Sequence, residues 1–124
     1  MKCRVIQSKN QDVFLNLAIE HALVQNSAKL TNDPIIRIWK NHKSVIMGRG
    51  QYIKKEVNQE FCIKHEIDIA RRISGGGTVY HDLGNINISF FLSPSLKKLM
   101  NISDLPSISQ MITSVIYQSL KGVG

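Results

Sequence analysis

Residues 71–91 of this chain read RRISGGGTVYHDLGNINISFF, and this stretch decides the fold that the sequence predicts. Residues 86–92 alternate between apolar and mostly polar side chains, which is the period of a β-strand with one face on the core. Residues 67–72 and 78–81 predict further strands on either side of the glycines, so residues 74–77 are expected to form a hairpin turn. The side chains expected to face the core from the last strand are Ile86, Ile88, Phe90 and Leu92.

The rest of the chain mixes helix and strand patterns. Asp12 is a plausible N-cap for the helix VFLNLAIEHALVQ, whose broad apolar face is expected to lie on a sheet with His21 buried or half-buried within it. Asn32-Asp33-Pro34 predicts a turn. The remaining predicted elements are a strand at 5–6, hairpin strands at 35–40 and 44–47, one helix over 54–66, and a last helix beginning at 103 or 104 with Pro106 in its first turn.

Hairpins outnumber strand–helix–strand crossovers in this reading. The sequence therefore predicts an α+β fold, with a mixed or antiparallel sheet and flanking helices, and not a doubly wound parallel sheet. The length of 124 residues predicts a single domain.

The composition limits the classes of partner. A net charge of +7 and a pI near 9.7 favour acidic partners such as nucleic acid, anionic lipid, a phosphorylated ligand or an acidic protein. Lysine and arginine never run longer than a pair, which argues against a nucleic-acid-binding arm. Cys3 and Cys62 lack metal-ligand spacing, so no metal site is predicted. With no secretory or membrane-spanning segment in evidence, cytoplasm is the expected compartment.

Three clusters have the residue types of a ligand site. In the first, three glycines allow the backbone to approach a ligand and point several N–H groups at one anion, and Arg71 and Arg72 add permanent cations beside them. Because neighbours on a strand point to opposite faces, only one of these two arginines is expected to enter the site. The second is His81-Asp82, and the third is residues 48–51, Gly-Arg-Gly-Gln, after an apolar strand. Taken alone, each pattern also fits an ordinary turn with an exposed arginine or a capping aspartate.

Together, however, residues 71–91 closely resemble the signature of lipoate–protein ligase A and its lipoyltransferase relatives. The matching features are two arginines, SGGG, a small residue, a valine, an aromatic residue and then HDLGN before an apolar strand. The segments FLNLAIEHAL and Gly-Arg-x-Gln at 48–51 are similar to the family's first helix and second ligand-contacting loop. The resemblance implies the fold of biotin–protein ligases and class II aminoacyl-tRNA synthetases.

The resemblance also implies a reaction, cofactors and site residues. Lipoate would be activated by ATP, with Mg²⁺, to lipoyl-AMP, and the lipoyl group would pass to a lysine of an acidic acceptor domain, in 2-oxoacid dehydrogenases or the glycine cleavage H protein. No membrane partner is implied. Carried over by position, the expected ATP- and lipoyl-AMP-binding residues are Arg72, Gly77, Thr78, Val79 and Tyr80. The residues expected on the lipoate and phosphate side are Arg49, Arg71, Gly75, Gly76 and His81.

Two expectations concern what the chain does not carry. The family's later Gly-x-Lys-x-Ser-Gly segment, whose lysine contacts the acyl carbonyl and the phosphate, has no match in residues 1–124, so no catalytic residue is assigned. Residues 1–124 are therefore expected to be the N-terminal portion of a catalytic domain, either truncated, completed by a complementary C-terminal chain, or acting alone as a binding module. Two alternative functions stay open: an octanoyl- or lipoyltransferase that uses a carrier-bound or preformed activated donor, and a basic nucleic-acid-binding domain. A eukaryotic protein of this kind would belong in the mitochondrial matrix.

Overall fold

The computed structural model describes residues 2–26, 29, 33–102 and 104–123. Two positions used in the predictions, Asn32 of the turn and Ser103 at the start of the last helix, lie outside the described residues. The elements in chain order are β1 (Arg4–Gln7), α1 (Val13–Asn26), β2 (Ile35–Trp39), β3 (Ser44–Met47), α2 (Ile53–Glu56), α3 (Gln59–Lys64), β4 (Asp68–Arg71), β5 (Val79–His81), β6 (Asn87–Phe91), α4 (Pro94–Leu99) and α5 (Leu105–Leu120).

The described strands form two small mixed sheets, with the strand orders β1-β2-β6 and β4-β3-β5. Each sheet has one parallel pair, β1 with β2 and β3 with β4, and one antiparallel pair, β2 with β6 and β3 with β5. Helix α1 joins the first parallel pair, and α2 and α3 join the second. The predicted α+β class is confirmed, but the two parallel pairs make crossovers more prominent than the sequence patterns indicated.

The predicted hairpin of residues 35–47 is wrong, because β2 and β3 belong to different sheets. The connection between them is held inside the molecule by Asn41, which is fully buried and bonds to side chains of α1 and β5. A polar residue anchored in this way turns the chain from one sheet into the other. The segment 74–77 is also not a hairpin turn, since β4 and β5 lie on opposite sides of β3 and the glycines cross over its end.

Helix α1 packs on the sheets through the face of Val13, Asn16 and Leu17, which covers only part of the broad apolar face that the sequence predicts. Its buried residues are Val13 and Asn16, whereas Phe14 is 53% exposed and His21 is exposed. The reason is that Asn16 satisfies buried polar groups of the neighbouring strands, so the helix turns this polar residue inward. The prediction of a buried or half-buried His21 is therefore wrong. Val13 instead joins Ile46 of β3 and Ala70 of β4 in a small apolar core.

Strand β6 also presents the opposite face to the one expected. Phe91 is buried and Ser89 is half-buried, while Ile86 and Ile88 are 61% and 42% exposed. The Ser89 hydroxyl donates to Glu20 of α1 at 2.7 Å and accepts from Trp39 at 3.0 Å. These polar contacts fix the inward face of the strand, and alternation alone could not have distinguished the two faces.

The predicted helix over residues 54–66 is interrupted. Helix α2 ends at Glu56, and Asn58 starts α3 as an N-cap, with its side-chain oxygen accepting from the Phe61 amide at 3.0 Å. A side chain that caps the backbone in this way competes with helix continuation. Helix α4, capped by Ser93, was not predicted. The predicted last helix is confirmed as α5, in which Asp104 is the N-cap and Pro106 lies in the first turn.

We expect Asn58→Ala to destabilise the protein by about 1 kcal/mol, because the Phe61 amide would lose its capping acceptor. The measurement is the urea midpoint of unfolding. Asn58→Asp retains an acceptor at the same place and should stay close to the parent protein. Equal midpoints for the alanine and aspartate variants would contradict the capping role.

Candidate functional site

Two loops meet at the carboxyl end of β3. We call residues 48–51 the arginine loop and residues 72–78 the glycine loop. The Arg49 amide donates to the Ser74 carbonyl at 2.9 Å, and a Cβ added at Gly48 would overlap the carbonyl oxygen of Gly76. Only glycine at position 48 allows this approach. Gly76 itself has φ +95°, a conformation that also favours glycine. The structure thus brings together two motifs that lie more than twenty residues apart in the sequence.

Arg72 holds the glycine loop in shape. Its guanidinium donates to the Gly75 carbonyl at 2.7 Å, to the Gly77 carbonyl at 2.8 Å and to the Ile46 carbonyl at 3.2 Å. Because the carbonyls of Gly75 and Gly77 point toward Arg72, the N–H groups of the loop remain available to a ligand. Among the residues that the structure describes, none accepts a hydrogen bond from the N–H groups of Gly75, Gly76 or Gly77. Such a run of free amides beside a cation is suited to an anion.

Arg71 holds the arginine loop in shape in the same way, through its backbone carbonyls. Its Nη1 atom donates to the carbonyls of Gly48 at 2.9 Å, Arg49 at 3.1 Å and Gln51 at 2.7 Å. Its Nε and Nη2 donors have no acceptor in the described part of the chain. Arg49, Arg71 and Arg72 line one open pocket together with His21. The family resemblance placed these three arginines in one site, and the structure brings them together, so the expectation that only one of Arg71 and Arg72 enters the site is wrong.

Gln51 and Thr78 tie the two loops together at their outer ends. The Gln51 side-chain oxygen accepts from the Gly48 amide and from the Thr78 hydroxyl, both at 2.8 Å. The Thr78 hydroxyl also lies 3.1 Å from a carboxylate oxygen of Glu56. Thr78, predicted to bind ATP, therefore acts within the structure as a link between loops.

A cavity of about 480 Å³ opens beside the glycine loop, within the size range of small-molecule sites. It lies between α1 and the two sheets. Arg72 and His81 form one polar part of its wall, and Glu20 forms another. Its apolar wall is supplied by Leu17, Val24, Trp39, Ile46, Ile73 and Val79. A mainly apolar cavity with Arg72 in its wall and free amides nearby suits an acyl chain with an anionic head.

His81 lies where this cavity meets the polar network. Its Nδ1 atom is 3.2 Å from the Asn41 amide nitrogen, and its ring stands edge-on to Trp39 with centroids 6.3 Å apart. Burial, followed by the positive charge of Arg72, lowers the pKa of His81 below its ordinary value of 6.5, although Asp82 acts in the opposite direction. The ring is therefore mostly neutral at pH 7.

Tyr80 does not reach the same cavity. Because side chains alternate along β5, Val79 and His81 face the cavity beside α1, whereas Tyr80 lines a separate pocket of about 550 Å³ with α2 and α3. Phe61 and Cys62 are among the other residues of that pocket. The predicted adenylate-binding set, Arg72 and residues 77–80, is therefore distributed over both faces of the β4-β3-β5 sheet.

A buried polar group that the sequence patterns did not predict lies beneath the site. Arg37 of β2 is fully buried, pairs with Glu20 at 2.7 Å and donates to the Asn16 oxygen at 2.6 Å. Its guanidinium also lies 5.0 Å from the centroid of the Trp39 ring. Two signals were present: an arginine inside the apolar strand IIRIW, and Asn16 and Glu20 four residues apart in the apolar first part of the helix.

In the described ranges, no three His, Cys, Asp or Glu side chains are grouped so that they could hold a metal ion. No described helix has the length and apolar character needed to cross a bilayer.

Comparison with known sequences gives a consistent result. Residues 12–123 match the model of the lipoyl protein ligase A/B catalytic domain. The chain is 40% identical over 111 residues to lipoyl amidotransferase LIPT1, mitochondrial, of Homo sapiens, a match that covers 90% of this chain and 29% of that protein. It is 37% identical over 113 residues to lipoate–protein ligase 1 of Staphylococcus aureus, covering 91% and 32%. The chain thus spans less than a third of the length of these curated relatives.

Solved structures give the same match in three dimensions. Plasmodium falciparum LipL1 in complex with lipoate superposes with a TM-score of 0.69 at 36% identity, over 72% of this chain and 30% of that one. Lipoate–protein ligase A bound with ATP gives 0.67 at 33%, over 73% and 36%. A bi-partite lipoate protein ligase from Thermoplasma acidophilum, described with its E2 lipoyl domain, gives 0.66 at 35%, over 73% and 35%.

Proposed function

This chain belongs to the lipoyl protein ligase A/B catalytic-domain family, as residues 71–91 predicted, and from that premise we propose that it forms the acyl- and adenylate-binding part of a lipoate–protein ligase. The complete domain would join lipoate to ATP as lipoyl-AMP, release pyrophosphate, and transfer the lipoyl group to a lysine of an acceptor protein. Residues 1–124 would be the N-terminal portion of that domain. A lysine supplied by the remaining portion would complete the site.

The observation that carries this proposal is the position of the apolar cavity. One part of its wall contains Arg72 and Ser74 of the glycine loop, next to the free amides of Gly75, Gly76 and Gly77. The hydrocarbon chain of lipoate would lie along Leu17, Val24 and Trp39, where burial of each methylene stabilises the complex by about 0.8 kcal/mol. Its carboxylate would then lie among the amides and arginines.

Adenylation brings two anions together, and the hydrogen-bond donors of the two loops would stabilise their combined negative charge. The carboxylate oxygen of lipoate forms a bond to the α-phosphorus, and the bond from that phosphorus to the pyrophosphate oxygen breaks. Negative charge accumulates on the phosphoryl oxygens, and fixed donors stabilise it without reorganising. We assign this part to the free donors of Arg71 and to the glycine amides, with Arg49 nearby. Mg²⁺ would accompany ATP through its phosphate oxygens.

The proposed partners are acidic lipoyl domains. The net charge of +7 would favour encounter with an acidic acceptor through long-range attraction. The archaeal structure described with an E2 lipoyl domain supports an acceptor of this class. A complementary chain that supplies the rest of the catalytic domain is part of the same proposal, in line with the bi-partite ligase. We propose the cytoplasm as the compartment, or the mitochondrial matrix in a eukaryote; the human relative is named as mitochondrial.

The test is lipoate-dependent exchange of pyrophosphate into ATP. We expect exchange by the full-length protein, or by residues 1–124 combined with a chain that supplies the rest of the catalytic domain, and none by residues 1–124 alone. Robust exchange by residues 1–124 alone would contradict the proposed need for the missing lysine. Absence of exchange from the complete protein would contradict the ligase assignment.

A second candidate is acyl transfer from a carrier-bound or preformed donor, without ATP. The 40% identity to a protein named as a lipoyl amidotransferase favours it. The two functions differ in a direct assay on an acceptor lipoyl domain. A ligase requires free lipoate and ATP, whereas a transferase modifies the lysine from an acylated carrier protein when ATP is omitted.

A further inference from the structure

A continuous series of hydrogen bonds leads from the buried Arg37, through the buried Asn16 and Asn41, to the half-buried His81. Arg37 Nη2 donates to the Asn16 side-chain oxygen at 2.6 Å. A guanidinium only donates hydrogen bonds, and it stays protonated in proteins. The Asn16 oxygen must therefore face Arg37, and the Asn16 nitrogen must face the other way.

The contacts on the other side of Asn16 agree with this orientation. Its Nδ2 atom lies 3.2 Å from the Asn10 carbonyl, 2.9 Å from the Lys40 carbonyl and 2.9 Å from the Asn41 side-chain oxygen. Since the Asn41 oxygen accepts from Asn16, the Asn41 nitrogen is the atom that faces His81 Nδ1 at 3.2 Å. Reversing either amide would oppose two donors within a buried site.

We infer that Asn16 and Asn41 hold His81 as the neutral tautomer with its proton on Nε2, so that the ring offers the cavity an N–H donor and not a base. Asn41 donates to Nδ1, and that nitrogen must therefore be the unprotonated one. Asn16 and Asn41 are positioning residues, because they act on the ligand only through His81. The identity of the ligand rests on the proposed function.

The surroundings of His81 support a neutral ring. The charged groups that act on it are Arg72 from the glycine loop and Asp82 from the following turn, while Glu20 lines another part of the same cavity wall. Burial and the positive charge of Arg72 lower the pKa of His81, and together they outweigh Asp82, which raises it. An imidazolium would also bring an Nδ1–H against the Asn41 N–H group, which disfavours protonation further.

This tautomer sets what His81 does in the reaction. An Nε2–H group can donate to the carboxylate oxygen of bound lipoate, and later to the carbonyl oxygen of the acyl phosphate as it gains negative charge during lysine attack. The proton stays on Nε2 throughout. Deprotonation of the attacking lysine must then depend on another group, since a ring with Nδ1 occupied and Nε2 protonated has no free base.

The experiment measures the side-chain nitrogen resonances of His81 in ¹⁵N-histidine-labelled protein near pH 7.5. His81→Gln identifies its signals among those of the four histidines. We expect a protonated Nε2 and an unprotonated Nδ1. Asn41→Asp replaces the donor by an acceptor of almost the same shape, so it should move the proton to Nδ1 and raise the pKa of His81 by about 1 or more.

Asp82→Asn is the matched control, because it removes a carboxylate next to the ring without touching Asn41. In this variant the pKa of His81 should fall further, and the tautomer of His81 should stay the same. A parent protein with protonated Nδ1 at neutral pH would overturn the inference, and so would an unchanged tautomer in a folded Asn41→Asp variant. If Asn41→Asp does not fold, the tautomer observed in the parent protein is the deciding result.

Added lipoate should shift the Nε2–H signal of His81. An unmoved signal with the expected tautomer would contradict the proposed ligand, but it would not contradict the inferred tautomer.

Discussion

Replacing Arg72 with alanine is expected to weaken binding of a non-hydrolysable lipoyl-AMP analogue to the complete protein by about 100-fold or more, or roughly 3 kcal/mol. The reason is that Arg72 orders the glycine loop. Its guanidinium holds the carbonyls of Ile46, Gly75 and Gly77, and with it gone the loop amides lose their common direction. The measurement is the dissociation constant of the analogue by calorimetry.

Two variants separate the geometry of Arg72 from its charge. Arg72→Lys keeps the charge, but a single ammonium cannot span three carbonyls in a fixed fork, so most of the loss should persist. Arg4→Ala removes the same charge from exposed β1, away from the two loops, and should leave the affinity within about twofold. Full affinity in Arg72→Lys would show that the charge alone matters and that the loop does not depend on the three contacts.

The elements of the fold were largely predictable from local patterns, and their faces were not. Asp12 and Asp104 mark helix starts through side-chain caps that involve neighbours three residues away, so the sequence alone contains that information. The inward face of α1 depends on Asn16 meeting Arg37, which is 21 residues distant. Alternation in β6 predicted a strand and placed the wrong face inside, since Ser89 finds its partner in Glu20.

The candidate site shows the same division. Residues 71–91 indicated the correct family because their spacing is specific. The arginines that the resemblance assigned to the site, Arg49, Arg71 and Arg72, do line one pocket. The spacing does not predict which groups Arg71 and Arg72 contact. Adjacent positions on a strand predict opposite faces, yet Arg71 and Arg72 both turn to backbone carbonyls, each of a different loop. Their role depends on a close approach between Gly48 and Gly76 that no local pattern describes.

That approach gives the second large expected effect. Gly48→Ala should destabilise the protein by about 3 kcal/mol, since the new methyl group would overlap the Gly76 carbonyl oxygen and lie 3.1 Å from its carbon. Backbone atoms cannot move aside as a flexible side chain does, so the loops must separate. Urea unfolding would measure the loss of stability, and calorimetry with the lipoyl-AMP analogue should show a loss of affinity of at least about 100-fold.

Gly50→Ala is the matched control, two residues along the same loop. A Cβ at Gly50 meets no atom within 4 Å, so its unfolding free energy should stay within about 0.5 kcal/mol of the parent value. Both variants add one methyl group to the arginine loop, and they differ only in what that group meets. If the two unfold at the same urea concentration, contact between the loops does not stabilise the protein. If Gly48→Ala loses stability but binds the analogue normally, the loops pack together without forming the ligand site, and the free amides of residues 75–77 must serve another purpose.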